Sequence, residues 1–363
     1  MSVSARFMIC AVSVGAGCGL SAAPDEEELV QLATPCAVPA FITQNTVPVG
    51  FASLGGGTTG GGAATPQLVT TLAQFNAAAQ GTTAAVIFVS GTLGTGTLTI
   101  GSNKTIIGCS GTNPTLRGTV AVKRAANVIV RNLNVVGFNC QPPDVNTASG
   151  GECQDGQDAL TVERSHNLWF DHLAVSDGSD GNLDITHGSD FITISNTKFF
   201  YSSPRSEPHD TGAAGHRFSD LIGNSDSNGS EDAGKLSITW VHDWWAQNIV
   251  ERQPRIRFGR IHLLNNLWTS SGNNYCVGVG VGASVLLQNN AFVNVRTPVN
   301  TTSFVKPDVA PSSVRLTGNV LQGTSGTAPG DLNAGSVFTP PYAFTSESGS
   351  ATQAFVQANA GPK

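Results

Sequence analysis

The sequence predicts an all-β chain wound as a single right-handed parallel β-helix, with a short N-terminal capping helix and long side loops. One observation is compositional: the chain has 42 glycines and only 12% charged residues, against about 25% in an ordinary soluble domain. Glycine and asparagine favour turns and left-handed backbone, while recurring Val, Ile, Leu and Thr favour strands. Long helices therefore fit poorly. The second observation is a recurring β-rich segment, often closed by asparagine, that starts at Thr105, Val128, Leu168, Phe191, Leu236, Ile261, Val285 and Val314. Successive starts lie 23, 40, 23, 45, 25, 24 and 29 residues apart. The shorter steps fit one coil of a β-helix, and the two long ones fit a coil plus either an extra coil or inserted loops. Stacked coils bury an apolar face that no short strand could bury alone. Spacing by itself leaves a β-sandwich or a propeller open.

Residues 1–23 read as an export signal, with Arg6 ahead of an apolar run over 7–19 and small residues at 21–23. The run is shorter than the roughly 20 residues that span a bilayer. A secreted protein is expected, and Cys18 behind Gly17 leaves a lipid-anchored or periplasmic location as alternatives. Residues 24–65 form a leading segment that ends in a flexible-looking glycine-rich linker at 55–62. Leu68, Leu72 and Phe75, at offsets of four and three, predict a short amphipathic helix over one open end of the solenoid. The β-helix is expected over 66–322, with 323–363, rich in Pro, Gly, Ser and Thr, packed on it as loops. Within the coils, Asn132, Asn196, Asn266, Asn290 and Asn319 are expected at bends, where the amide satisfies backbone groups and the residue tolerates left-handed geometry.

Nineteen Lys plus Arg against 25 Asp plus Glu give a net charge of −6, which argues against nucleic-acid binding. A monomer without a membrane span is expected. Arg252, Arg255, Arg257 and Arg260 still place four guanidinium groups within nine residues, either to hold an anionic ligand or as a solvated strand face. After signal removal the cysteines are Cys36, Cys109, Cys140, Cys153 and Cys276. One of these must lack an intrachain partner. Cys140 and Cys153 bracket a Pro, Asn and Gly-rich loop and are the first choice for a disulfide, with buried thiols as the alternative.

Two patterns carry chemistry. Asp158, Asp180 and Asp184 flank the WFDH segment at Trp169 to His172, and a coil of about 23 residues brings Asp158 and the later pair onto neighbouring turns. Three carboxylates in one cleft repel unless a cation sits among them, and hard oxygen ligands suit Ca²⁺; a solvated acidic face is the alternative. The second pattern is RQPRIR at Arg252 to Arg257, where a bend at Pro254 lets Arg252 and Arg257 approach one groove. The planar arginine fork matches a carboxylate.

The ordered set DAL at Asp158, WFDH at Trp169, DGNLDI at Asp180, ITIS at Ile192, RQPRIR at Arg252 and HLLNN at His262 resembles polysaccharide lyase family 1, the pectate and pectin lyases, over roughly residues 70–300. The resemblance implies Ca²⁺ as cofactor, with Asp158, Asp180 and Asp184 as its ligands. It implies Arg252 as catalytic base and Arg257 as a support that grips a substrate carboxylate, while Asp171 and His172 of the WFDH signature are expected to be structural or to act through neighbours. Two departures stand out. Gly156 occupies a place where relatives carry another acid. Phe218 stands where relatives carry a substrate-binding lysine, and Arg217 or Arg205 is the expected replacement.

The implied substrate is an anionic α-1,4-linked galacturonan, cleaved by β-elimination to 4,5-unsaturated products without water as nucleophile. Rival readings are a pectin lyase acting on methyl-esterified polymer without calcium, a catalytically impaired polyuronate-binding protein, and a structural β-helix. The retained aspartates argue against the pectin lyase, and the joint acidic and arginine clusters argue against a purely structural chain.

Overall fold

All eight recurring segments fall in one sheet. The computed structural model describes residues 36–137, 157–202 and 217–363, together with the backbone pairing of Val145–Asn146 with Glu152–Cys153. It contains a ten-stranded sheet running from Pro66–Val69 to Ser313–Thr317. An eight-stranded sheet runs from Thr97–Thr99 to Val299–Asn300, and a nine-stranded sheet from Thr92–Leu93 to Val320–Gln322. Every neighbouring pair within these sheets is parallel, and a coil passes through the eight-, ten- and nine-stranded sheets in turn, as in Leu160–Glu163, His166–Asp171 and Ala174–Ser176. The winding is a right-handed parallel β-helix, the hand that twisted parallel strands impose on their crossovers.

The core is a set of in-register ladders. Ile106, Val130, Phe170, Ile194, Trp240, Leu263 and Leu287 are successive register partners and all are buried. On the nine-stranded sheet Phe199, Trp245, Trp268 and Phe292 stack with centroid separations of 5.5, 4.7 and 4.3 Å and interplanar angles of 17° or less. The two long spacings are single coils with inserted loops, because Ile129 pairs directly with Trp169 and Thr193 with Thr239.

Asparagine serves two adjacent columns. Asn132, Asn196, Asn265 and Asn289 have left-handed φ between 47° and 60°. One residue later, Asn266, Asn290 and Asn319 form a side-chain ladder: each Oδ1 accepts from the backbone N–H one coil earlier, at Asp243, Asn266 and Asn290 respectively, at 2.8 to 3.0 Å.

Several expectations are corrected. Leu68 belongs to the first strand, which pairs with Ala85–Val89, and the capping helix is Leu72–Ala79. Thr71 caps it by accepting from the Gln74 N–H, and Phe75 and Ala79 seal the core end. The glycine-rich stretch is packed rather than a linker: the N–H groups of Thr59 and Gly60 each donate to Asn127 Oδ1 at 2.7 Å, and a Cβ at Gly61 would lie 2.1 Å from the Ala85 carbonyl oxygen. The C-terminal segment carries a helix, Gly349–Asn359, whose Val356 packs with Leu267, Ala291 and Val293. A disulfide joins Cys36 to Cys109, and Cys276 is a buried thiol. The Cys140–Cys153 pairing and the export signal lie outside the described residues. Among the described residues no helix is long and apolar enough to cross a membrane.

Candidate active site

On the eight-stranded sheet, inward Leu160, Val162, Leu183, Ile185, Ile222 and Ile256 are committed to the core, so the intervening residues face outward. Register sets Thr161, Asp184, Leu221, Arg255 and Gly278 in one outward row. Asp158 stands just before its strand and accepts a hydrogen bond from Thr161 Oγ1 at 3.0 Å through Oδ2, while its buried Oδ1 has no hydrogen-bond partner. A Cβ placed on Gly181 would lie 3.0 Å from Asp158 Oδ1 and 3.4 Å from Asp184 Oδ1. Both oxygens thus converge on a space that this glycine leaves open. Asp180, the residue before it, completes the acidic wall and is half-exposed.

The electrostatics record this crowding. Burial, then the charge of Asp180, pushes the Asp158 carboxyl up to about 7, with Thr161 and Arg252 acting the other way. Burial and the charge of Asp158 hold the Asp184 pKa well above the usual carboxylate range, and Arg252 again opposes. Arg252 therefore faces the same acids across the cleft. Beneath them is Asp220, which sequence reasoning missed: fully buried, it accepts from Trp245 Nε1 at 2.5 Å, and burial pushes its pKa far up. Its one sequence signal was an acid in a strand whose inward neighbours are apolar. Three carboxylates, one orphaned buried oxygen and a glycine-cleared pit are the donor chemistry of a hard divalent cation. As they stand, however, no three acidic, histidine or cysteine side chains among the described residues come together in a group that could hold a metal ion.

Arg252 adopts a left-handed φ of 57° ahead of a cis Gln253–Pro254 peptide, and its guanidinium carbon stands 4.2 Å over the Phe218 ring. Arg257 is fixed: Nε donates to Asp226 Oδ1 and Nη1 to the Gly223 carbonyl oxygen, both at 2.6 Å. Asp226 also meets Lys306. Arg217 is buried beside an aromatic ring. It is only 2% exposed and its guanidinium lies 5.0 Å over the Tyr201 ring. Phe218 turns toward Arg252, and its neighbour takes the opposite side. Arg205 and Gly156 lie outside the described residues.

The remaining motifs hold straps on the outer face of the ten-stranded sheet. Asp171 meets Arg131 Nε and Nη2 at 2.8 and 2.7 Å and accepts from Ser195 Oγ at 2.7 Å. Burial pushes the Asp171 pKa up, but His172, Arg131 and Ser195 outweigh it and hold the carboxyl below its ordinary value. Arg131 donates to the Ile42 and Asn45 carbonyls, and the His172 ring stacks on Phe41 at 3.9 Å. Thr193 of ITIS donates to the Val49 carbonyl and accepts from Ala52 N. In HLLNN, His262 Nδ1 lies 2.9 Å from the Tyr342 hydroxyl and Asn265 donates to the Glu347 carbonyl. These signatures bind the leading and trailing segments to the sheet.

The parallel β-helix thus carries, on one outward face, an acidic pit together with a stacked and a tethered arginine. The chain belongs to the pectate lyase family, whose pattern, described as "Pectate lyase", matches residues 36–362. It is 38% identical over 257 residues to a probable pectate lyase B of Aspergillus terreus, covering 68% of this chain and 69% of that protein. It is 30% identical over 334 residues to pectate lyase E of Dickeya chrysanthemi, covering 80% and 78%. Among solved structures it superposes with TM-score 0.66 at 24% identity on a Bacillus pectate lyase in complex with trigalacturonate, covering 87% and 98%.

Proposed function

We propose that this protein is a calcium-dependent pectate lyase that cleaves α-1,4-linked polygalacturonate by β-elimination outside the cell. The observation that carries the reading is the convergence of Asp158 Oδ1 and Asp184 Oδ1 over Gly181, with Arg252 acting electrostatically on both acids. Asp158, Asp180 and Asp184 would hold the ion, leaving positions for water and substrate oxygen. When bound, Ca²⁺ would draw electron density from a uronate carboxylate and so acidify the adjacent C5 proton.

The chain's own residues supply the rest. The Phe218 ring supports the Arg252 side chain from one face and fixes its direction. Arg252, in its neutral guanidine form, would then take the C5 proton while the C5–H electron pair forms the C4=C5 double bond and expels the C4 oxygen, which takes up a proton from solvent. Arg257, immobilised by Asp226 and Gly223, is a fixed positive charge that keeps the polyanion in register. Phe218 in place of a cation also favours a second reading, a preference for partly methyl-esterified polymer. An ultraviolet absorbance assay on polygalacturonate and on highly methylated pectin, each with Ca²⁺ and with chelator, separates the two. The first reading predicts Ca²⁺-dependent unsaturated product chiefly from polygalacturonate. Chelator-resistant product from methylated pectin would support a pectin lyase, and binding without product an impaired enzyme.

A further inference from the structure

Arg255 lies on the strand Arg255–Ile256, whose Ile256 is buried in the core, so Arg255 faces the cleft. It is the register partner of Leu221, which is the partner of Asp184. Two strand spacings, about 10 Å, separate it from the acidic pit. Its guanidinium carbon stands 4.4 Å over the Phe304 ring, which packs on Tyr275 with centroids 5.1 Å apart. Both rings seat against Gly278, the next residue of the row, where a Cβ would lie 2.8 Å from Tyr275 and 3.1 Å from Phe304. A glycine notch thus holds an aromatic pair, and the pair holds the arginine.

What the arginine lacks is an anion. Among the described residues no carboxylate lies within ion-pair distance of Arg255, and its buried Nε has no hydrogen-bond partner. Asp226 acts on it only at a distance and is already engaged by Arg257 and Lys306. Burial, then the charge of Arg257, pushes the Arg255 pKa below the usual arginine value. Arg131 shows the contrast: it is desolvated too, but Asp171 closes its charge. A cation that has lost water without gaining an anion costs free energy that an incoming carboxylate recovers.

We propose that Arg255, stacked on Phe304, is a receptor for a uronate carboxylate of the substrate, replacing at this coil the positive charge that Phe218 does not supply one coil earlier. The inference rests on the reading of the cleft as a uronate-polymer site. The planar fork lying on an aromatic face is preorganised for two carboxylate oxygens.

The test compares R255M and R255K with wild type, after circular dichroism confirms the fold, with R255Q as the substitute if R255M does not fold. Affinity for polygalacturonate should fall about tenfold or more in R255M, the loss expected of a charge-assisted contact. KM should rise in step while kcat changes less than about threefold, and R255K should recover part of the affinity. On highly methyl-esterified pectin, which offers few carboxylates, R255M should stay within about twofold of wild type. Equal loss on both polymers, or no loss on either, would overturn the proposal. If wild type binds polygalacturonate but forms no unsaturated product, the lyase reading fails and the binding series alone decides the Arg255 assignment. If wild type does not bind, both fall.

Discussion

Gly181 shows how one missing side chain makes a site. Its φ is not in the left-handed region, so glycine is required there for space and not for backbone freedom. A methyl group would lie 3.0 Å from Asp158 Oδ1 and 3.4 Å from Asp184 Oδ1, crowding the space where the ion is proposed to sit. Gly181→Ala is therefore expected to lower Ca²⁺-activated turnover at least about tenfold and raise the Ca²⁺ needed for half-activation, with polymer binding at the arginines retained; activation curves measured against Ca²⁺ check this. The three aspartates stood out as candidates because their spacing matched a coil and their order matched a family. Gly181 was not, because one more glycine among 42 carries no signal until the oxygens around it are placed. The placement of Arg217 was not legible for a related reason: sequence gives the order of Arg217 and Phe218 but not which faces inward.

At the scale of the strand and bend, Asp243 occupies a position that asparagine holds in the later coils. Its Oδ1 accepts from Thr197 N at 2.7 Å, as Asn266 accepts from Asp243 N. Asn266 and Asn290 also donate to the Trp240 and Leu263 carbonyls, whereas the buried Oδ2 of Asp243 has no partner. Burial pushes its pKa well above the ordinary value of 3.8. A carboxyl with a raised folded-state pKa loses stability as pH climbs above the unfolded value. Asp243→Asn removes that cost and restores the donor, so Tm should rise by several degrees at pH 8 and by less at pH 4, measured by thermal melts. The ten-stranded sheet was readable because its strands are five or six residues long over most coils and end in recurrent asparagine. The other two sheets gave no periodic signal: many of their strands span two or three residues, such as Trp244–Trp245 and Leu267–Trp268. The C-terminal helix escaped because its apolar contacts are few, with Val356 at their centre.

Across the whole molecule, the acidic cluster should couple stability to pH and, if it holds the proposed ion, to cation. With Asp158 near 7 when folded against 3.8 for the free group, the cation-free native state binds more protons than the unfolded chain between those values. Stability should then fall as pH rises from about 4 to about 7 and level off above. Ca²⁺ should reverse the loss, raising Tm progressively with concentration at pH 8 and little at pH 4. Calorimetry with Ca²⁺ and with chelator checks both, and an unchanged Tm at pH 8 would remove the acids as a cation site. The measurement that bears most directly on the cleft as a catalytic centre is the comparison of Arg252→Lys with wild type on polygalacturonate. Lysine keeps the charge but not the reach or planar fork that rests on Phe218. Turnover to unsaturated product should drop at least about 100-fold, the scale of a positioned proton-transfer group, with the fold and most polymer affinity kept. Turnover near that of wild type would contradict the account.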